Sequence, residues 1–93
     1  MTILYRPHRG RLAESMAEMK VFHTLEEMKA SLVDNSMMVW GKPAFEAEDL
    51  SLSEILGDDN RVGWKNVQYV LTKRFANEIY EHPQCIGMCS IQE

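Results

Sequence analysis

Residues 66–75 read NVQYVLTKRF, and whether this stretch is a strand or a helix decides the fold. Val67, Tyr69 and Leu71 alternate with Gln68, Val70 and Thr72, a period of two in residues that favour extended backbone, so a strand is predicted with one set on each face. Turn chemistry precedes it in GDDNRVG, where Gly57, Asp58, Asp59, Asn60 and Gly63 stand close together. After it, His82 and Pro83 mark a break, and CIGMCSI, residues 85–91, is extended by composition. That last segment is expected to pair antiparallel with residues 67–75.

Working back toward the N-terminus, the signals weaken and then change period. DLSLSEIL, residues 49–56, alternates imperfectly, and strand and helix both stay open for residues 51–56. Residues 45–49 set Glu46, Glu48 and Asp49 around single apolar residues and suggest an exposed connector or a helical turn rather than core. MMVW, residues 37–40, is a strand or a buried connection, broken by Gly41, Lys42 and Pro43. In HTLEEMKASLVDN, residues 23–35, Thr24 is a good N-cap with Glu27 three residues on, and Leu25, Met28, Leu32 and Val33 make a helical stripe. Residues 11–20 place Leu12, Ala13, Met16, Ala17 and Met19 at helical spacing and predict another amphipathic helix. TILY, residues 2–5, predicts a short first strand that stops at RPHRG.

Helices early and strands late favour an α+β fold over alternating βαβ units. The expected architecture is one domain spanning residues 1–93, with two helices from the N-terminal half packed on one face of a mostly antiparallel, three- to four-stranded sheet. At 93 residues the chain is long enough for one core. Its apolar content of 45% and charged content of 26% are those of a packed globular protein.

The words YRPHRG, FHTLEEM, RVGWKN with YVLTKRF, and PQCIGMC occur in this order along nearly the whole chain. Together they resemble a group of small uncharacterised bacterial proteins, many from prophage or mobile-element regions. The resemblance implies a bacterial setting and carries over no catalytic residue.

Ten Lys and Arg against fourteen Asp and Glu leave a net charge of −4, which disfavours binding nucleic acid through bulk electrostatics. No apolar run approaches the roughly 18 residues that span a bilayer, and the first residues meet charge before a signal-peptide core develops. A cytoplasmic location without membrane attachment is expected, with no cofactor.

His82, Cys85 and Cys89 offer a metal or redox reading of the C-terminal segment. Zinc brings two thiolates within roughly 4 Å of each other. On one strand, residues four apart are separated by about 13 Å, beyond both that limit and the span of a disulfide. Structural thiols and no metal site are therefore expected, with Cys85 and Cys89 on one strand face.

Arg6, Arg9 and Arg11 with His8 surround Pro7 and Gly10, an arrangement suited to a phosphate or carboxylate but also to a solvated loop. Arg61, Lys65, Lys73 and Arg74 lie near Trp64, Tyr69 and Phe75, a mixture that can stack and neutralise single-stranded nucleic acid. Trp40 and Trp64 equally suit a protein interface, where Trp and Arg are enriched. No nucleophile elbow, zinc-protease helix or calcium loop is present. The favoured reading is a non-enzymatic module that binds another protein through Trp40, Trp64, Arg6, Arg9, Arg11, Lys65, Lys73 and Arg74. Binding of nucleic acid or a phosphate ligand through the basic residues is second, and a small metal protein using His82, Cys85 and Cys89 is third.

Overall fold

The computed structural model describes residues 1–7, 20–36, 38–61 and 63–93. The helix expected over residues 11–20 lies outside them except for Lys20, which is in a strand. Around the decisive stretch, β7 (Trp64–Phe75) pairs antiparallel with β8 (Glu78–Gln92). β8 pairs on its other side with β1 (Thr2–Pro7), and β1 with β2 (Lys20–Phe22). Two short strands, β5 (Leu50–Leu52) and β6 (Gly57–Asp59), flank β7 along its other edge. These make one six-stranded sheet, beside which β3 (Met38–Val39) and β4 (Lys42–Pro43) form a separate small hairpin.

This corrects the α+β expectation of two helices on three or four strands. Among the described residues there is one α-helix, α1 (Leu25–Asp34), and a 3-10 turn (Ala47–Asp49), against six strands in the main sheet. The reason is physical: KVF, LSL and GDD are each three residues long, too short to show a period of two, and only KVF is rich in β-formers. They are extended because a long neighbouring strand supplies their ladder partners. Leu50 and Leu52, for example, sit opposite Thr72 and Val70.

The inner face of the sheet carries Ile3, Tyr5, Phe22, Leu50, Val70, Ile86 and Cys89, which join Met28 and Leu32 of α1 in one buried cluster. Pairing explains the selection, since Tyr5 opposes Cys89 and Ile3 opposes Ile91 and Phe22 in register. Thr24 caps α1 as its sequence implies: its hydroxyl accepts from the Glu27 amide at 3.0 Å, and the Glu27 carboxylate accepts from the His23 amide at 3.2 Å. Residues 45–49, read as an exposed connector or a helical turn, do contain the 3-10 turn, but Phe45 at their start is 2% exposed and belongs to the core, as does Ala44 before it. The surrounding acidic residues hid two core positions.

β8 continues through His82 and Pro83 instead of breaking there. Its ladder with β7 absorbs the proline in an irregularity between Thr72 and Arg74, where residues 80–83 oppose Lys73 alone. A second irregularity inserts Ile86 between the Val70–Gly87 and Leu71–Cys85 pairs. Gly87 is required where β1 crosses: a Cβ there would lie 2.6 Å from the Tyr5 ring and 2.7 Å from the Arg6 carbonyl.

Candidate functional site

Two tight turns lie side by side. The β3–β4 turn is made by Trp40 and Gly41, at φ 56° and 76°, the pair of positive values that a two-residue type I′ hairpin needs. The β7–β8 turn begins with Ala76 at φ 58°. A backbone hydrogen bond of 2.7 Å from the Ala76 amide to the Ala44 carbonyl ties the second turn to the chain leaving β4. Between them opens a cleft of about 370 Å³, lined by Val39, Trp40, Lys42, Pro43, Glu46, Arg74, Ala76 and Asn77.

Trp40 is the most exposed large apolar residue described, at 90%. An indole at the first position of such a turn is costly, since left-handed backbone suits Gly, Asn or Asp. Of the three non-glycine residues at positive φ among those described, Trp40 and Ala76 both line this cleft. The third, Asn66, has its strain met locally: its amide donates to Asp58 and its side chain to the Ile91 carbonyl.

The floor of the cleft is electrostatically fixed. Arg74 donates from Nε and Nη2 to Asp49 Oδ2 at 2.9 and 2.8 Å, and Nη2 stands 3.9 Å from Glu46 Oε2. Asp49 is buried and also accepts from the Glu46 amide at 2.9 Å. Burial alone would raise the Asp49 pKa, but the Arg74 hydrogen bond, the Glu46 amide and the nearby positive charges hold it below its ordinary value. The Glu46 carboxylate faces solvent, its side chain 62% exposed. Its hydrogen bond and charge push the pKa of neighbouring Glu48 up, Asp49 adding to the effect and Lys73 opposing it.

The other sequence candidates do not gather here. Trp64 is buried at 8% exposure and offers no surface anchor. Arg6 is exposed on β1, and Lys73 on β7. Lys65 is paired with Asp58 at 3.2 Å. Arg9 and Arg11 lie outside the described residues. Of the six candidates among the described residues, Trp40 and Arg74 line the cleft, joined by Glu46 of the acidic run and by Val39, Lys42, Pro43, Ala76 and Asn77, which sequence reasoning did not single out. Nothing local marks those five, because the cleft is made by two turns more than thirty residues apart in the chain.

On β8, His82 is exposed, Cys85 half-buried and Cys89 buried. Cys85 opposes Leu71 and Cys89 opposes Gln68, positions on opposite faces of β7, so the inserted Ile86 removes the shared face that simple alternation predicts. Burial pushes the Cys89 thiol up to about 11 and raises that of Cys85, a hydrogen bond with the Gly87 backbone acting the other way. Both are poor nucleophiles in this setting. Among the described residues, no group of three or more His, Cys, Asp and Glu side chains is placed to hold a metal ion. No described helix is long and apolar enough to cross a membrane.

In comparisons with known proteins, the chain matches no family model, no curated protein and no solved structure.

Proposed function

We propose that this chain is a non-enzymatic protein-binding module that docks a partner on Trp40 and the cleft beside it. The observation that carries the reading is an indole 90% exposed, presented at the tip of a hairpin in a backbone conformation that aromatic residues avoid. Strain of this kind persists where the surrounding structure enforces it and clusters at ligand clamps. Tryptophan is also the residue most enriched among those that dominate interface energetics. The rigid base supports the same reading, because Arg74 and Asp49 fix the cleft floor before any partner arrives.

The resemblance to small bacterial and prophage proteins supports an accessory role in such a system, and the net charge of −4 suits a soluble cytoplasmic protein. Affinity capture from the native host with wild type and Trp40→Ala, followed by titration of the purified pair, tests the reading. The expected result is a partner whose binding weakens at least tenfold in the variant while the melting temperature is unchanged. Equal binding by both proteins rejects Trp40 as the anchor.

A further inference from the structure

We infer that the partner docked at the Trp40 cleft is a second copy of this chain, the two Trp40 indoles exchanged about a two-fold axis so that each enters the other's cleft. This rests on the docking reading above and names the partner. A two-fold contact uses one patch twice, so the patch must carry both halves of every interaction. Here knob and hole lie side by side: Trp40 stands 90% exposed at the hairpin tip and is itself one wall of the cleft of about 370 Å³. Exchange therefore also brings the two indoles against each other near the axis, an aromatic pair that contributes beyond its area.

Charge sorts the candidate partners. The charged lining is Lys42, Arg74 and Glu46, and Arg74 is matched by the buried Asp49 at 2.8 Å and by Glu46 at 3.9 Å. Lys42 has no ion pair among the described residues. An occupant complementary to this wall supplies a carboxylate for Lys42 and an apolar group for Trp40. The second copy supplies both, in its own Trp40 and in Glu46, whose side chain is 62% exposed. A carboxylate accepts from more than one donor at once, so Glu46 keeps its contact to Arg74 while it receives Lys42 of the other copy. With Lys42 and Arg74 balanced by Glu46 and Asp49, the patch meets itself without repulsion, although the whole chain carries a net charge of −4.

The contact is small. Each indole buries roughly 150–250 Å², so the pair and the walls they cover remove about 600–1,000 Å² in all, short of the ~1,200 Å² at which stable complexes begin. The dimer is accordingly weak, with a dissociation constant on the order of 100 µM.

Sedimentation of the full chain across about 10 µM to 1 mM tests it. Wild type should pass from monomer to dimer over that range, and Trp40→Ala should weaken association at least tenfold. Lys42→Glu and Glu46→Lys should each be monomeric alone, because the two-fold sets like charges opposite each other. Mixed together they should associate, since the mixture restores both ion pairs. If Glu46→Lys fails to fold, Lys42→Glu alone decides, with at least tenfold weaker association expected. A wild type that stays monomeric throughout, a dimer untouched by Trp40→Ala or Lys42→Glu, or folded charge variants that do not associate on mixing overturns the second-copy assignment. The docking reading fails separately, when affinity capture from the host finds no protein whose binding depends on Trp40.

Discussion

At the scale of single residues, two positions expose opposite uses of backbone space. Trp40 occupies a left-handed conformation with its side chain almost wholly in water, so it contributes strain without compensating burial. Asn relieves that strain and, before Gly41, makes the preferred type I′ dipeptide. Trp40→Asn is therefore expected to raise stability by about 1 kcal/mol while abolishing partner binding. Denaturant titration beside a binding assay checks it, and a loss of stability would show that Trp40 is held by packing, not retained for function. Gly87 is the converse case: it is buried, and a methyl there meets the Tyr5 ring and the Arg6 carbonyl on the adjacent strand. Gly87→Ala should cost about 1–3 kcal/mol or more, because backbone as well as side chain must move. The same crossing orients the Tyr5 hydroxyl, which donates to the Ile86 carbonyl at 3.1 Å. Burial, with the nearby Cys85 and Cys89 in support, raises the Tyr5 pKa and keeps the phenol neutral.

At the scale of elements, α1 and β7 were legible because each satisfies its own local rule. Thr24→Ala should cost about 1 kcal/mol through the lost cap hydrogen bond, measured by chemical denaturation. β7 likewise shows a period of two over residues 68–73, with Val70 and Thr72 fully buried on the inner face. The short strands were only partly legible: Val21 and Phe22 of β2 favour extended backbone and strand stayed open at β5, whereas β6 and the pairing of all three depend on β1 and β7. Nor was the tie between the 3-10 turn and β7. Asp49 and Arg74 are 25 residues apart, and nothing local predicts that they meet. That tie makes a pH prediction. The Asp49 pKa is depressed in the folded state, so its stabilisation is fully present above the unfolded value of about 3.9 and is lost as pH falls through the lower folded value. Asp49→Asn should accordingly melt below wild type at neutral pH, and the gap should close below about pH 4. A gap that stays constant to pH 2 would mean that the carboxylate charge adds nothing to the fold.

Over the whole molecule, the proposed protein partner and a nucleic acid would differ in how charge governs their binding. The described fold is elongated, 40 × 24 × 21 Å, and the proposed docking site is the single two-turn cleft rather than a basic track along the sheet. Of the cations proposed from sequence for phosphate binding, Lys65 is already paired with Asp58 and Arg74 with Asp49. A polyanion would have to displace those carboxylates and approach a chain of net charge −4. Each phosphate neutralised on DNA releases condensed counterions, which makes such binding fall steeply with salt. A complex anchored by the buried face of an indole and one or two ion pairs loses only its electrostatic share, because screening over about 8 Å at physiological salt barely touches desolvated contacts. The expectation is no association with single-stranded oligonucleotides near physiological ionic strength, together with a partner complex whose affinity declines only modestly between 50 mM and 500 mM salt. Fluorescence anisotropy across that range, on wild type and Lys73→Glu, decides between them. Micromolar oligonucleotide binding at physiological salt, lost in the folded Lys73→Glu protein, would move recognition from the Trp40 cleft to the basic residues of the sheet.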